Sequence, residues 1–345
     1  MLNESPFYCP ECDEGLNLPK APSRRSFLRG AGGAAAALAG ASLLGRTAGA
    51  AEEEAKPAAP KPAEGLIREL FETFSEEQRT SLVLPYDHRT DANAELTRHR
   101  TFNSPAMGKR IGEVYTPAQR ELVERIARAI LADDEAFKRV SRGGKWDSSG
   151  SFDGCGAILF GEPGTDSPYA YLFSGHHLTL RCDGNTQPGV AWGGPIYYGH
   201  SAGGYTIDNV YRYQTEAVQA VFDALSEEQR KKALGGESPG DGQRGLKPRD
   251  PRPGIAYADL GAEQRELVEK VMRALLSPFR AEDAEEVMSL VKANGGMEQI
   301  HLAFYEDEDP YEGRPWHFWR LEGPGFVWNY RVLPHVHCFV NIESA

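Results

Sequence analysis

Apolar residues recur at intervals of three and four positions in two long segments of the chain, residues 116–131 and 262–276. This spacing places them along one face of an α-helix, so each segment is predicted to be an amphipathic helix. Thr116 is suited to cap the first helix, with Pro117 at its first helical position, and Asp259 lies near the start of the second. The apolar positions are Leu122, Val123, Ile126 and Ile130 in the first segment, and Leu267, Val268, Met272 and Leu275 in the second.

A shorter acidic helix is predicted after each long one, and each ends at a glycine pair, because glycine favours helix termination. Strand-like segments then follow in both parts of the chain, with aromatic and polar residues alternating in the second part. The acidic helices are predicted at residues 133–140 and 282–292, and the strands at residues 157–160 and 169–173 in the first part and 301–305 and 316–321 in the second.

Two short motifs also occur twice, in the same order along the chain. Residues 74–79 (Phe-Ser-Glu-Glu-Gln-Arg) correspond to residues 225–230 (Leu-Ser-Glu-Glu-Gln-Arg), and Gln-Arg-Glu-Leu-Val-Glu stands at both 119–124 and 264–269. Repetition of two helical motifs and of the strands after them indicates an internal duplication. We therefore predict an internally duplicated α+β fold, in which each half is a helical segment followed by antiparallel strands.

The two halves are expected to span about residues 65–210 and 211–345 and to pack as a single large domain over residues 65–345. Two stretches rich in glycine or proline, residues 184–206 and 236–256, are predicted to be long loops. Loops of this length are often functional, so both are expected to border a cleft.

The N-terminal region has the pattern of an export signal. Arg24 and Arg25 precede a weakly apolar run, residues 30–44, and a small-residue triplet follows. This predicts a twin-arginine signal region over residues 1–50, which is removed after export. Residues 51–64, made largely of Ala, Glu, Pro and Lys, are predicted to be a disordered linker. The expected location is the periplasm or another exported site, reached through the twin-arginine translocation machinery. That route carries folded proteins, so it suits a chain that binds metal beforehand and equally one that folds fast or with difficulty and has no cofactor.

Charge narrows the range of partners. The chain has 38 Lys and Arg against 50 Asp and Glu, a formal net charge of −12. Phosphate binding needs clustered cations, so nucleic acid and anionic membranes are not expected partners. The apolar run of the signal is too short for a stable membrane span. An unidentified small-molecule ligand is the expected partner of the folded domain.

Five cysteines are divided between the two parts of the chain. Cys9 and Cys12 form half of a zinc ribbon with no second pair nearby, and they lie in the region expected to be removed. Cys155, Cys182 and Cys338 would meet an oxidising compartment after export, where two of them could form a disulfide. The sequence leaves their pairing open.

Four of the nine histidines occur in two tight groups, His176-His177 and His335-Val-His337. Residues i and i+2 of a strand share a face, so His335 and His337 can bind one ion. Adjacent His176 and His177 would point to opposite faces, so only one joins that site unless a bulge or turn intervenes. The grouping predicts a mononuclear copper or zinc centre, with no catalytic residue assigned. Candidate second-shell or substrate groups are His200, His317, Glu322, Cys338, Trp192 and Trp316.

Whether the protein is an enzyme stays open at this point. Zinc would favour hydrolysis and copper would favour oxidation. The alternative is a non-catalytic binding module, in which the histidines only hold the strand turns together and an aromatic-lined cleft takes a flat-faced ligand. The aromatic residues expected in that cleft are Trp192, Tyr197, Tyr198, Trp316 and Trp319.

Six segments of the chain together resemble a known protein family. They are Gln119-Arg120, residues 171–180 (Tyr-Leu-Phe-Ser-Gly-His-His-Leu-Thr-Leu), residues 194–199 (Gly-Pro-Ile-Tyr-Tyr-Gly), residues 226–230 (Ser-Glu-Glu-Gln-Arg), residues 320–324 (Arg-Leu-Glu-Gly-Pro) and residues 335–337 (His-Val-His). Together they resemble the bacterial domain-of-unknown-function family 3500 over most of residues 66–340. The resemblance implies export, commonly by this kind of signal, and important histidines, but no reaction. The chain departs from it after His337, where Cys338 and Phe339 stand in place of the usual Arg and Asp.

Overall fold

Eleven strands form one mixed sheet in the computed structural model, which describes residues 63–92, 94–164, 167–240, 248–306 and 315–345. The predicted signal region with Arg24 and Arg25, the Cys9–Cys12 pair and nearly all of the predicted linker lie outside the described residues. Within the described part, nine α-helices accompany the sheet, so the fold is mixed α/β.

The helices are α1 (Ala63–Glu72), α2 (Glu76–Leu82), α3 (Ile111–Val114), α4 (Pro117–Ile130), α5 (Asp134–Val140), α6 (Arg212–Ala224), α7 (Glu227–Ala233), α8 (Ala262–Leu276) and α9 (Ala281–Ala293). The strands are β1 (Val83–Leu84), β2 (Gly156–Phe160), β3 (Ala170–Gly175), β4 (Leu178–Cys182), β5 (Ile196–Gly203), β6 (Leu234–Gly235), β7 (Ile255–Ala256), β8 (His301–Tyr305), β9 (Phe318–Gly323), β10 (Phe326–Arg331) and β11 (His335–Ile342).

The strand order is β1-β2-β3-β4-β5-β11-β10-β9-β8-β6, with β7 paired to β8. From either edge of the sheet inward, the strands follow in sequence order, β1 to β5 from one edge and β6, β8, β9, β10 and β11 from the other. The two series meet where β5 pairs with β11 in antiparallel register. The prediction of antiparallel strands was wrong at two places, because β1 pairs with β2, and β6 with β8, in parallel. In each case helices separate the two strands in sequence and return the chain to its starting edge, as a parallel pair requires.

The predicted long helices are present because their apolar stripes are buried. Ile126 and Ile130 of α4 and Val268 and Met272 of α8 have no exposed surface, and they belong to one cluster with the side chains of one sheet face. Tyr198 on β5 extends that contact, since its hydroxyl donates to the Leu275 carbonyl over 2.7 Å. The helices therefore cover one face of the sheet. On the other face, side chains of β2 and β3 form a second, smaller apolar cluster, and β9, β10 and β11 carry polar and aromatic side chains.

The repeated motifs form the same contact twice. Gln78 and Gln119 each donate a side-chain N–H to the other's side-chain oxygen, over 2.8 and 3.0 Å. Gln229 and Gln264 do the same over 2.9 and 2.7 Å. Each glutamine also accepts a hydrogen bond from the backbone at the start of its own helix. A reciprocal amide pair thus joins two helix N-termini in each half, which explains why these glutamines recur.

The arginines of the same motifs are structural as well. Arg120 donates to the Tyr115 carbonyl and Arg265 to the Leu260 carbonyl, each over 3.0 Å. Both guanidinium groups hold the turn that precedes their helix. The repeated residues therefore build the helical layer, and among the described residues none of them belongs to the groups of side chains that could hold a metal ion.

Three predicted boundaries were wrong. β5 lies inside the stretch predicted as the loop 184–206, because its alternate side chains Ile196 and Tyr198 are buried in the core. Gly261, rather than Asp259, is the N-cap of α8, and Asp259 ends a short 3₁₀ turn. β9 begins at Phe318, two residues after the predicted start at residue 316.

Cys155, Cys182 and Cys338 are all buried free thiols, so no disulfide joins the three cysteines of the described residues. In the same part of the chain, none of the helices combines the length and apolar character that crossing a membrane requires.

Replacing Gln119 by Ala is expected to lower the free energy of unfolding by about 1–3 kcal/mol, because the amide of Gln78 loses its partner beside the helix ends. Gln264→Ala should act in the same direction, since it breaks the equivalent pair. Urea denaturation followed by circular dichroism measures both. The control is Gln299→Ala, an exposed glutamine whose replacement should change stability by no more than about 0.5 kcal/mol. Effects at Gln119 and Gln264 no larger than the control would contradict the structural role.

Candidate metal centre

His335 and His337 stand on the sheet face that the helices leave uncovered. The residues that alternate with them on β11, Val336 and Cys338, belong to the helix-facing core. Both histidines are buried, and their Nε2 atoms are 3.0 Å apart. The predicted same-face arrangement of this His-x-His unit is therefore present.

His177 reaches the same point from the other half of the chain. β3 ends at Gly175 and β4 begins at Leu178, so His176 and His177 form the turn between them. His177 has a φ of 56°, a left-handed conformation that is uncommon for a residue other than glycine. Its Nε2 lies 3.1 Å from the Nε2 of His335. The sequence left open whether a turn interrupts the strand at these two histidines. The turn is present, and it brings His177 to His335 and His337.

Gly199 on β5 makes this approach sterically allowed. It is paired with His337 across the β5–β11 junction. A Cβ at this position would lie 2.3 Å from the Val336 carbonyl oxygen, 3.2 Å from a ring carbon of His337 and 3.3 Å from the His177 Cβ. Only glycine lets the strands and both imidazoles pack at these distances.

The three Nε2 atoms have the spacing of metal ligands. Histidine nitrogens bind zinc at about 2.0–2.1 Å, so two of them in a tetrahedral site lie about 3.3 Å apart. The observed 3.0 and 3.1 Å are close to that value. Lone pairs so near each other repel unless a proton or a cation lies among them. His177, His335 and His337 are therefore a group that could hold a metal ion.

Asp147 orients the imidazole of His177. Its carboxylate accepts a hydrogen bond from His177 Nδ1 over 2.9 Å and another from the Ser201 backbone N–H over 3.1 Å. Arg142 lies 3.8 Å from the same carboxylate oxygen. A carboxylate that fixes the far nitrogen of a histidine is a recurrent second shell of metal sites, because it leaves the lone pair of Nε2 for the ion.

The charges of this pair follow from burial and hydrogen bonding. Burial lowers the pKa of His177 well below its usual range, and His337, His176 and His335 act in the same direction, whereas the hydrogen bond to Asp147 opposes them. Burial alone would raise the pKa of Asp147, but the hydrogen bond from His177, with the Arg142 charge and the Ser201 hydrogen bond, holds that pKa below its usual range. The pair is thus a neutral imidazole beside an ionised carboxylate, the form in which histidine binds metals.

Arg331 lies on the other side of the cluster. It is paired with His337 in the β10–β11 register, and its Nη2 is 2.9 Å from His337 Nε2 and 3.5 Å from His335 Nε2. It is half-buried, whereas the three histidines are fully buried. The guanidinium donates to the histidine nitrogens, so it competes with a metal ion for the same lone pairs.

Asp147 and Arg331 were missed by the sequence analysis. Asp147 is the sole carboxylate in a stretch rich in glycine and serine, residues 143–151, and this is the one signal that could have marked it. Its φ of 51° and the φ of 54° at Trp146 show that this turn is held in an uncommon conformation. Nothing local marks Arg331, because its role comes from strand pairing.

The other candidates do not belong to the group of His177, His335 and His337. His176 Nδ1 is 3.9 Å from Asp147, in a second group of Asp147, His176 and His177. His200, on β5 opposite Val336, is half-buried, and burial lowers its pKa to about 4.

Glu322 pairs with the buried Arg320 over 2.6 Å. His317 lies half-buried just before β9. Cys338 faces the core, where burial raises its pKa to about 12. None of these three residues is in the groups of metal-ligating side chains.

The predicted aromatic cleft is not formed by the residues assigned to it. Trp192, Tyr198, Trp316 and Trp319 belong to the helix-facing core and are at most 4% exposed, so they cannot line an open surface. Large aromatic side chains suit this core because burying their large apolar surface stabilises the folded state. Tyr197 alone lies on the histidine face, stacked on Phe339 at 4.3 Å.

These observations define a mixed α/β domain with a buried three-histidine cluster at the junction of its halves. The sequence matches the family described as "Protein of unknown function (DUF3500)" over residues 61–341, and the chain belongs to that family. No curated protein and no solved structure matched the chain. The family assignment confirms the resemblance seen in the sequence and carries no activity with it.

Replacing Asp147 by Asn is expected to lower the free energy of unfolding by about 1–3 kcal/mol, because an amide cannot accept all the hydrogen bonds now made to the carboxylate. Urea denaturation of the metal-free protein measures the change. Asp134→Asn is the matched control, since the Asp134 side chain is 92% exposed and its loss should cost no more than about 0.5 kcal/mol. Equal stabilities of the two variants would show that Asp147 does not hold this turn.

Proposed function

We propose that this protein binds one transition-metal ion, copper or zinc, through His177, His335 and His337. The observation that carries the proposal is the convergence of three Nε2 atoms within 3.0–3.1 Å between neighbouring pairs. Two further features support it. Asp147 fixes His177 with its Nε2 available, and Gly199 allows the strands to approach closely enough.

Three neutral nitrogen ligands suit both metals, and they leave a coordination position for a further ligand. Zinc bound there would supply Lewis acidity and a water of lowered pKa, whereas copper would supply redox chemistry. The choice between hydrolytic and oxidative activity depends on the metal, so the reaction is part of the proposal only as one of these two classes.

A non-catalytic role of the histidines is the second candidate, and the position of Arg331 favours it. Its guanidinium donates to His337 over 2.9 Å, and this hydrogen bond joins β10 to the histidine cluster. In that case the histidines are structural and metal binding is absent. The aromatic-lined cleft of this alternative would need residues other than the buried tryptophans.

We also infer that the two halves arose by duplication. Apart from α3 in the first half and β7 in the second, the helices and strands follow in the same order in each half, and the Gln78–Gln119 and Gln229–Gln264 pairs are made with the same atoms. The two halves differ at the proposed metal centre. His176 and His177 occupy one strand turn, whereas Pro324 and Gly325 occupy the equivalent turn of the other half.

Export through the twin-arginine pathway is the proposed route to the protein's location. The support is the Arg24-Arg25 pair ahead of the weakly apolar run in the sequence. Passage in the folded state would let the three histidines load their ion in the cytoplasm, before the protein meets competing metals outside.

The metal proposal predicts about one copper or zinc ion per chain in the full chain purified from cells, and the loss of that ion in the His335→Ala, His337→Ala double variant. Inductively coupled plasma mass spectrometry measures the content. The wild-type melting temperature should rise with added metal, because binding stabilises the folded state, whereas that of the double variant should not.

His301→Ala is the control for that experiment. His301 is also a strand histidine, but it begins β8, three strands from β11, and lies outside the histidine cluster. This variant should keep its metal. Metal content unchanged in the double variant, or no bound metal in the wild type, would contradict the proposal and favour structural histidines.

The export proposal predicts that replacing Arg24 and Arg25 together by Lys leaves the uncleaved precursor in the cytoplasm, because the pathway reads the arginine pair itself. Cell fractionation and immunoblotting of the full chain measure this. Arg46→Lys, a single change near the end of the same region, is the control and should export normally. Normal export of the double variant would contradict the twin-arginine route.

A further inference from the structure

The position of Arg331 next to the histidine nitrogens points to the kind of ligand that the centre takes. We propose that the metal-loaded centre binds a small anion, of the carboxylate class, between the ion and the Arg331 guanidinium. This inference rests on the proposed metal site and adds to it the chemical class of the external ligand.

The first step is distance. An ion held by His337 lies about 2 Å from Nε2, and Arg331 Nη2 lies 2.9 Å from the same atom. The ion and this nitrogen are then separated by about 5 Å at most unless Arg331 moves. A side chain of this length can move back by rotation about its own bonds.

The second step is charge. Arg331 keeps its positive charge at all ordinary pH values, and a divalent ion bound by neutral imidazoles keeps both of its charges. Asp147 touches the cluster only through the far nitrogen of His177, where it also lies near Arg142. Two cationic groups so close in a buried site repel each other, and an anion placed between them is attracted by both.

The third step is access. His177, His335 and His337 are 1%, 2% and 5% exposed, whereas Arg331 is half-buried. Among these four residues, Arg331 has the largest exposed fraction. A ligand that reaches the ion from this side meets the guanidinium first, so the residue that is hydrogen-bonded to His337 would receive the incoming anion.

The fourth step is shape. The guanidinium is a planar fork that matches the two oxygens of a carboxylate. Tyr197 lies beside His337, with ring centroids 5.4 Å apart, and it stacks on Phe339. This aromatic pair gives the histidine face a flat apolar neighbour. A small planar anion satisfies both features, and a bulky one would not fit a cluster this buried.

The test uses the full chain loaded with Co(II), whose visible absorption reports ligand exchange at the ion. Wild type and Arg331→Gln are titrated with azide, with acetate and with neutral imidazole. Arg331→Gln should keep stoichiometric cobalt and bind azide and acetate between about tenfold and a hundredfold more weakly, as expected for the loss of a hydrogen bond to a charged group. Its affinity for imidazole should stay within about twofold of wild type, since that ligand gains nothing from the charge.

Arg273→Gln is the matched control, because Arg273 is an exposed arginine of α8, 61% accessible, and should change no affinity. Equal anion affinities in wild type and Arg331→Gln, with cobalt bound in both, would overturn this inference and leave the metal site standing. Equal losses for the anions and for imidazole would also overturn it, because they would show a general disturbance of the site. Failure of the wild type to bind cobalt would overturn the metal proposal and this inference together.

Discussion

The pairing of β5 with β11 is the contact on which the candidate site depends. It joins the two halves of the sheet and sets Gly199 opposite His337, so the turn that carries His177 lies against the strand that carries His335 and His337. A shift of one residue in this register would place the histidines of β11 on the helix-covered face. The same pairing therefore determines both the continuity of the sheet and the convergence of the imidazoles.

The two faces of the sheet differ in the side chains that they bury. The helix-facing side holds a continuous apolar core, and the repeated glutamine and arginine motifs anchor the helices above it. The other side keeps polar and charged residues buried, including the Arg320–Glu322 pair and the histidine cluster. Burying polar groups costs free energy unless they are hydrogen-bonded, so the hydrogen bonds around Asp147 offset part of the cost of burying this face.

Much of the architecture could be predicted from the sequence. The long helices at residues 117–130 and 262–276 and the strand before the His176–His177 turn lie close to their predicted positions, because local periodicity determines them. β5 was not predicted, since glycine and proline in residues 184–206 suggest a loop and only burial of its alternate residues selects a strand. The parallel edge pairs were missed for a similar reason, because strand direction depends on which strands meet.

Part of the candidate site could likewise be predicted from the sequence, and part of it could not. The sequence by itself determined that His335 and His337 share a strand face, because side chains alternate at period two, and it identified the His176–His177 pair as their partner. Only the tertiary structure selected His177, through a turn with positive φ, and added Asp147 and Arg331, which stand 30 residues before His177 and 6 before His337 in the chain. Contacts between separate segments follow from strand register and packing, and no local pattern in the sequence records them.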